Sequence, residues 1–490
     1  MSTTKTPPSM GWKWDNSYST LPHTLFSPVL PTPVAQPQLV AFNRPLANTL
    51  GLNSDAPEEE WAAILAGNSI PTGANPIAQA YAGHQFGHFT MLGDGRAILL
   101  GEHLTPQGER FDIQLKGPGQ TPYSRRGDGR ATLYAMLREY LISEAMHHLG
   151  IPTTRSLAVV TTGLPVYREQ AFMGAVLTRI AASHIRVGTF EYMRHFVPEN
   201  EWTPFVHYVI QRHYPDVLET EQPVEAFIQR VMLRQIDLIV NWMRVGFVHG
   251  VMNTDNMSIA GESIDYGPCA FINQYDPKMV FSSIDTQGRY AFGRQAAIAQ
   301  WNLAILAGSL LPLLDPDHDK AVEKAKEIVN SYADIYQAKW HTMMRAKLGL
   351  RQPHTDDSTL IRGLLQWMER FGADYTNTFL VLGGDTTLND GLYNNAEFTE
   401  WHQQWEQRVA AEPGGIDAAR ELMQQTNPAY IPRNHQVENA LEAASESGDF
   451  SPLNTLLSVL SAPYVVRPEY RSYQSPPDDG GMGYRTFCGT

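Results

Sequence analysis

Two short segments of the 490-residue chain carry residues whose types and spacing suit the chemistry of nucleotide phosphates. The first is the run His249-Gly-Val-Met-Asn-Thr-Asp-Asn256, and the second, nine residues later, is Asp265-Tyr-Gly267. Magnesium prefers hard oxygen ligands, usually one or two from the protein together with phosphate oxygens. The amide of Asn256 and the carboxylate of Asp265 would supply these ligands from the two ends of one hairpin. A turn rich in Asn and Asp with only a structural role is the alternative.

Residues upstream fit the same chemistry, in the order that protein kinases use. Lys116 ends the run Phe-Asp-Ile-Gln-Leu-Lys, and Glu139 lies within the apolar helix pattern that follows. A carboxylate in such a helix needs a partner, and Lys116 is the natural one, although a solvent-facing glutamate is the alternative. Gly93 and Gly95, just before Arg96, would let the backbone approach a phosphate. The order glycine turn, lysine, glutamate, asparagine and aspartate predicts a nucleotide site.

One position does not fit an ordinary kinase. Aligning His249 with the His-Arg-Asp run of kinases places Val251 where the catalytic aspartate should stand, and valine cannot accept a proton. Asp255, next to Asn256, is the nearest replacement base. A base moved by four positions along the chain implies that the attacking hydroxyl approaches a different phosphorus atom.

Two arginines point the same way. Arg179 follows the strand-like run Ala175-Val-Leu-Thr, and Arg186 lies seven residues later. A kinase lines the corresponding connector with apolar groups against adenine, whereas guanidiniums suit phosphate oxygens. Two exposed surface arginines are the alternative. If both face the cleft, the nucleotide is reversed, with its terminal phosphates pointing inward and its α-phosphorus facing the substrate.

The surrounding pattern predicts an α+β fold with the two lobes of a protein kinase, a small β-rich lobe and a large helical lobe. Short apolar runs and one helix pattern of the small lobe fall at 96–101, 111–116, 131–149, 156–160 and 175–180. From about residue 190 helices dominate, and the segment 223–245 is apolar nearly all round, which indicates a buried helix.

Four segments are predicted along the chain. They are an extended N-terminal arm packed on the core over 1–74, a kinase-like N-lobe over 75–190, a C-lobe with the catalytic and metal loop over 191–350, and a helical C-terminal extension with a tail over 351–490.

Composition excludes several classes of function. A net charge of −14 argues against a nucleic-acid binder, which needs a basic face to displace counterions. No run of 18 apolar residues occurs, so no membrane span is expected. The first nine residues lack the features of a leader peptide, and a cytoplasmic location is the expectation.

The chain has two cysteines, Cys269 and Cys488. Two cysteines cannot form a disulfide framework or a cysteine-based zinc site. They are either unrelated thiols or a switchable bridge, since Cys269 lies just past the best motif and Cys488 is the third residue from the end, in a tail that could reach it.

These residues resemble the selenoprotein O family, also called the YdiU family, over essentially the whole chain. The blocks that carry the resemblance include Tyr81-Ala-Gly-His-Gln-Phe-Gly87, Leu92-Gly-Asp-Gly-Arg96, Gln114-Leu-Lys-Gly117, Tyr123-Ser-Arg-Arg-Gly-Asp-Gly129, and 249–256 with Ile264-Asp-Tyr-Gly-Pro268.

The resemblance implies a pseudokinase fold that binds ATP in a flipped orientation and transfers AMP to Ser, Thr or Tyr hydroxyls of proteins. The family's nucleotide contacts fall on Gly93, Gly95, Arg96, Lys116, Asp128, Gly129, Arg179 and Arg186. Its proton acceptor falls on Asp255, and its metal ligands fall on Asn256 and Asp265, with Asp265 also touching ATP. Glu139 matches the helix partner of the lysine.

The resemblance also leaves alternatives open. Magnesium is the expected metal, while some members of the family use UTP with manganese. Cys488 resembles the position of selenocysteine in eukaryotic members, but ordinary sulfur stands here. The family's association with oxidative stress suggests thiol-redox proteins as the protein targets. A true phosphotransferase and a non-catalytic nucleotide-binding scaffold, which Val251 would favour, are the rival functions.

Overall fold

The computed structural model describes residues 10–388, 391–481 and 483–487. Its strands are β1 (Phe26–Pro28), β2 (Gln38–Phe42), β3 (Ile77–Gln79), β4 (Ala82–Gln85), β5 (His88–Met91), β6 (Ala97–Leu104), β7 (Arg110–Lys116), β8 (Ala131–Thr132), β9 (Arg155–Tyr167), β10 (Ala171–Ala181), β11 (Phe247–Val248) and β12 (Ala270–Phe271).

The helices begin within the N-terminal arm and dominate the second half of the chain. They are α1 (Arg44–Thr49), α2 (Glu58–Leu65), α3 (Leu133–His148), α4 (Val187–Phe196), α5 (Trp202–His213), α6 (Pro223–Val245), α7 (Gln295–Ser309), α8 (Leu311–Leu314), α9 (His318–Lys347), α10 (Asp357–Phe371), α11 (Tyr375–Leu382), α12 (Ala396–Ala410), α13 (Gly415–Thr426), α14 (Asn434–Glu442) and α15 (Ser451–Leu460).

One antiparallel sheet forms the small lobe. Its strand order is β1-β3-β6-β7-β10-β9-β2, and β8 pairs with β10 beside this path. Lys116 at the end of β7 is paired with Ala97 of β6 on one side and with Leu177 of β10 on the other. Hydrogen-bonded strands on both sides therefore hold the backbone of this lysine in the middle of the sheet.

The N-terminal arm is part of that sheet. β1 and β2 form its two edges, with Phe26 paired to Gln79 and Gln38 paired to Thr161. Helices α1 and α2 cover one face, where Trp61 joins a buried cluster. The arm is thus only partly extended, because it also forms these two helices. The segment boundary at residue 74 stays a prediction.

Helix α3 joins the two lobes. The Thr132 hydroxyl caps it by accepting a hydrogen bond from the Ala135 amide at 3.3 Å. Most of its residues are buried, against the sheet on one side and against the large helical core on the other. Any charged side chain in its middle must therefore find a charged partner inside the protein.

The helical lobe is built around α6, which has the predicted bounds and is buried along most of its length. Gly246 ends it with a φ of 75°, a left-handed backbone that glycine adopts without strain. The short pair β11 and β12 then closes the loop between them, which carries the second half of the predicted site. The predicted α+β class, with a β-rich lobe before a helical one, is confirmed. No helix in the described ranges combines the length and apolar character needed to cross a bilayer.

Candidate active site

A cleft with a volume of about 320 Å³ lies between the sheet and the helical lobe. Eleven of the predicted site residues line it, namely Gly93, Gly95, Arg96, Lys116, Asp128, Gly129, Arg179, Arg186, Asp255, Asn256 and Asp265. Glu139 lies behind this wall, in contact with Lys116. Sequence positions as far apart as 93 and 265 are thus brought to one cavity.

The cleft is locally cationic within an acidic protein. Its seven cationic residues are Arg96, Lys116, Arg125, Arg130, Arg168, Arg179 and Arg186, and its four acidic residues are Asp94, Asp128, Asp255 and Asp265. Cationic side chains around a concave site attract and hold phosphate groups. The cleft therefore suits the triphosphate of a nucleotide, although the chain as a whole carries a charge of −14.

A buried ion network forms the inner wall. The Lys116 ammonium donates to Glu139 Oε2 at 2.6 Å and to Asp265 Oδ1 at 2.7 Å, and Arg179 Nε donates to Glu139 Oε1 at 2.7 Å. Burial alone would raise the pKa of the Glu139 carboxyl, but Arg179 and Lys116 hold that pKa below its usual value. The Glu139 carboxyl is therefore ionised at neutral pH, and the four side chains fix one another's positions.

Asp265 has an unusual backbone. Its φ of 65° lies in the left-handed region, which few residues other than glycine and asparagine or aspartate adopt. Burial would raise the pKa of its carboxyl, yet Lys116, Arg179 and Arg96 together hold that pKa far below the usual range. The backbone turn and the three cations keep a negative oxygen at the centre of the cleft, where it is ready to bind a cation.

The amide of Asn256 is oriented by the main chain. Its Nδ2 donates to the Val251 carbonyl at 3.0 Å, so that the other end of the amide, Oδ1, is the end available to a cation. Asn256 and Asp265 both line the cleft and offer hard oxygen donors. No group of three or more His, Cys, Asp or Glu residues in the described part of the chain could hold a metal ion. Two oxygen donors of this kind would suit a divalent cation whose remaining ligands are phosphate oxygens.

Asp255 is buried beside the same loop. Burial raises the pKa of its carboxyl to about 7, despite the nearby Arg186 guanidinium, and its Oδ1 accepts no hydrogen bond from the described residues. A Cβ added to Gly83 of β4 would lie only 2.2 Å from that oxygen. Glycine at position 83 is thus what allows β4 to lie directly against Asp255.

Arg186 precedes α4 and is held from several sides. Its guanidinium donates to the carbonyls of His184 at 3.0 Å and Asp255 at 3.1 Å, and it lies 4.2 Å from the ring centroid of Tyr81. Tyr81 lines the cleft as well. The cation is therefore positioned before any ligand enters, which lowers the entropic cost of phosphate binding.

The glycine turn closes the outer side of the cleft. Gly93 has a φ of 112°, and a Cβ there would lie 2.5 Å from the Tyr123 ring, so only glycine fits. Between the two glycines, Asp94 accepts from the Gln79 amide at 3.0 Å, and burial raises the pKa of its carboxyl to about 6. The sequence analysis did not single out Asp94, although its place between Gly93 and Gly95 was a signal.

A second residue missed from sequence is Arg168, at the tip of the β9–β10 hairpin. Its Nη1 donates to Asp128 Oδ2 at 2.8 Å and its Nη2 donates to Oδ1 at 3.1 Å. This bidentate pair joins the hairpin to the loop that carries Asp128 and Gly129. Nothing in the local sequence of Arg168 indicates this contact.

Of the two cysteines, only Cys269 lies within the described residues. Cys269 is buried, its thiol donates to the Tyr266 carbonyl at 3.3 Å, and burial raises the pKa of the thiol to about 12. Cys488 lies outside the described residues. The switchable bridge between them stays a prediction.

Fold and cleft together define a class of enzymes that hold a nucleotide between a sheet lobe and a helical lobe, with a lysine–glutamate pair behind it, as protein kinases do. The model of the family described as protein adenylyltransferase SelO matches residues 8–461. The chain belongs to this family.

Relatives of similar length support the assignment. A protein nucleotidyltransferase YdiU from Brevibacillus brevis is 56% identical over 481 residues, covering 98% of both chains. The protein of the same name from Halalkalibacterium halodurans is 54% identical, and the match covers 100% of both chains. The one from Geobacillus kaustophilus is 55% identical, and the match covers 98% of this chain and 99% of the relative. The protein is therefore an enzyme of the protein nucleotidyltransferase class, as the sequence predicted, and the relatives do not support the rival hypothesis of a non-catalytic scaffold.

Among solved structures, the chain is similar to ROP2 from Toxoplasma gondii, described as a virulence factor with a protein-kinase fold and no enzymatic activity. The identity is 11%, the TM-score is 0.25, and the match covers 67% of this chain and 85% of that one. A similarity of this size carries no argument about function.

Proposed function

We propose that the protein transfers AMP from ATP to Ser, Thr or Tyr hydroxyls of other proteins and releases pyrophosphate. The observation that carries this proposal is the position of Arg179 and Arg186. Both line the inner cleft at the connection between the lobes, where an ordinary kinase places apolar groups against adenine. Guanidiniums at that place favour a nucleotide whose β- and γ-phosphates point inward and whose α-phosphorus faces the opening.

The residues of the cleft have distinct roles in this reaction. Lys116, Arg179 and Arg186 hold the two inner phosphates and stabilise the charge that develops on the leaving pyrophosphate. Asn256 and Asp265 hold a divalent cation, Mg²⁺ or alternatively Mn²⁺, which supplies neutralisation of phosphate charge when bound. The glycine turn at Gly93 and Gly95 brings backbone close to the phosphates. The remaining contacts assigned to the nucleotide are Arg96, Asp128 and Gly129.

Asp255 accepts the proton of the acceptor. The acceptor oxygen forms a bond to the α-phosphorus, while the bond between that phosphorus and the oxygen bridging to the β-phosphorus breaks. Pyrophosphate leaves with the electron pair of the broken bond, and the acceptor proton goes to the Asp255 carboxylate. General-base assistance of this kind contributes about 10²- to 10⁴-fold to the rate.

Parallel reactions with ATP labelled at the α- or the γ-phosphorus test the proposal. We expect label from the α-position on protein acceptors, together with pyrophosphate in solution, and no label from the γ-position. Transfer of the γ-label would instead identify a true phosphotransferase. Repeating the α-label reaction with UTP and Mn²⁺ decides between AMP and UMP as the transferred group, and intact mass identifies the acceptor proteins. The cellular compartment proposed for the reaction is the cytoplasm, and thiol-redox proteins are the first acceptors to be tried.

A further inference from the structure

The nucleotide cleft continues into a second cavity of about 190 Å³. The two cavities share six residues, and these include Asp255, Asn256 and Asp265. A molecule in the second cavity would therefore meet the same carboxylates and amide as a nucleotide in the first, from the other side. The other residues that line the second cavity are not among the assigned nucleotide contacts.

The walls of the second cavity differ in chemistry from those of the cleft. Beyond the shared boundary the polar side chains are those of Thr132, Arg138, Glu139 and Asn253. The aromatic and apolar part of the wall consists of Tyr134, Ala135 and Met136 of α3 together with Val251, Pro268 and Phe487. Side chains of this kind bind neutral and apolar groups rather than phosphates. The second cavity is thus built for a different part of the reaction from the cationic cleft.

Its one cation outside the shared boundary is already committed. Arg138 donates from Nε to the Gly267 carbonyl at 3.1 Å, from Nη2 to the Cys269 carbonyl at 2.7 Å, and from Nη1 to Glu438 at 2.9 Å. The guanidinium therefore holds the loop after Asp265 in place and is not directed at a ligand. A second nucleotide in this cavity would lack the phosphate contacts that the cleft provides.

Val251, which stands where ordinary kinases have an aspartate, lines this cavity. Val251 contributes an apolar wall where a kinase has its catalytic aspartate, and its carbonyl accepts the hydrogen bond that orients Asn256. Asp255 lines the same cavity. A hydroxyl entering along Val251 would find there an acceptor for its proton.

The end of the described chain forms the mouth. The Thr486 amide donates to the Phe281 carbonyl at 2.8 Å, and its hydroxyl donates to the Pro268 carbonyl at 2.7 Å. These bonds hold Phe487 at the cavity, although 73% of the Phe487 side chain is exposed. An aromatic ring that is fixed at a cavity mouth and largely exposed is available for contact with a bound polypeptide.

From these observations we infer that the second cavity receives the acceptor side chain of the protein substrate together with an apolar neighbour. The acceptor hydroxyl reaches Asp255 along Val251, and the apolar neighbour lies against Ala135 and Phe487. This inference rests on the proposed function, since it supplies the acceptor for that reaction. It adds a specificity, namely a preference for hydroxyl residues that have an apolar residue beside them.

Filling the cavity tests the inference. Ala135→Phe places a ring in the cavity from a position on α3 that is only partly buried, and Ala338→Phe, on the exposed face of α9, is the matched control. The acceptors are short peptides with Ser, Thr or Tyr between apolar residues. We expect Ala135→Phe to lower transfer of the α-label to these peptides by at least about tenfold. The rate of pyrophosphate release with water in place of the peptide acceptor, and the affinity for ATP, should both stay within about twofold of the wild type. The control variant should change neither of these quantities nor the transfer to peptides.

A second variant changes Phe487, at the mouth of the second cavity. Phe487→Ala should raise the KM for the same peptides by about tenfold, with kcat unchanged, because an apolar contact made by the bound peptide is lost. If thermal melting shows that Ala135→Phe does not fold, Phe487→Ala decides alone. Unchanged peptide kinetics in the folded variants would overturn the inference while leaving the proposed function intact. Absence of α-label transfer in the wild type would overturn both.

Discussion

Glu139 and Arg179 form a buried ion pair, in which Arg179 Nε lies 2.7 Å from Glu139 Oε1. The other carboxylate oxygen holds Lys116 at 2.6 Å. One glutamate from α3 thus positions two cations that come from different strands, β7 and β10. The lysine–glutamate pair of kinases is thus extended to a triad by Arg179, the cation that we also assign to the phosphates.

Replacing Glu139 tests this dependence. Glu139→Gln leaves two buried cations with half of their charge compensation, and removing one partner of a buried ion pair costs about 3–5 kcal/mol. We expect a free energy of unfolding lower by that amount in denaturant titrations, and weaker ATP binding by calorimetry. Glu323→Gln, at an exposed position of α9, is the control and should match the wild type in both measurements. Equal stability of the two variants would contradict the triad.

The closeness of Gly83 to Asp255 leads to a second prediction. In Gly83→Ala the new methyl group would overlap the Asp255 carboxylate, whose Oδ1 would lie 2.2 Å away, so the base must move. We expect transfer of the α-label to fall by about 10²-fold or more, while ATP binding stays near the wild-type value.

The matched control for this change is Gly308→Ala in α7, where no atom lies within 4 Å of the added Cβ. Alanine in a helix is more stable than glycine by up to about 1 kcal/mol, so this variant should be active and at least as stable as the wild type. Wild-type transfer rates in Gly83→Ala would show that Asp255 is not the proton acceptor.

Metal dependence provides a third prediction. Asp265→Ala removes both a cation ligand and the partner of Lys116, and turnover should be lost at every magnesium concentration. Asn256→Ala removes a neutral ligand only, so activity should return as the magnesium concentration is raised. Titrations of transfer rate against Mg²⁺ and Mn²⁺ distinguish the two variants. Retained activity of Asp265→Ala without metal would remove the assigned role of this residue.

Acid stability yields a fourth prediction. Burial lowers the pKa of His184 to about 4, even though its Nδ1 lies 2.9 Å from Asp112 Oδ2. Between pH 6.5 and 4 the unfolded chain binds a proton at this histidine and the folded chain does not, so stability falls as the pH falls through this window. The full effect is about 3 kcal/mol.

His184→Asn keeps a donor for Asp112 and removes the titration. The variant should lose less stability than the wild type between pH 6.5 and 4 in denaturant titrations at a series of pH values. His318→Asn, at an exposed position at the start of α9, should behave as the wild type. Parallel pH profiles for the wild type and His184→Asn would contradict the assignment.

Local patterns were enough to predict much of this site. The strand that ends at Lys116 and the helix around Glu139 follow from alternation and periodicity, and so does the buried helix over 223–245. Their assembly into one cleft follows from the order of the motifs along the chain. These features depend on neighbours in sequence, which is why they can be identified without a structure.

Long-range pairings could not be predicted in the same way. β1 and β2 are short and have no periodicity of their own, and they become strands only because β3 and β9 offer them hydrogen bonds. The contact between Arg168 and Asp128 joins two loops that are 40 residues apart. The second cavity likewise depends on Phe487, far along the chain from Ala135 and Val251.

The placement of β1 and β2 at the two margins of the sheet has a consequence for how the small lobe forms. β1 and β2 precede the other strands of this sheet along the chain, and the partner of β2 is synthesised more than a hundred residues after it. The sheet therefore cannot be completed until β9 and β10 have both emerged. Until then β6 and β7 have no complete sheet to join. Loss of either outer strand from the finished protein would leave backbone amides and carbonyls of β3 or β9 open to pairing with another chain, so the segment 26–42 protects this lobe against aggregation.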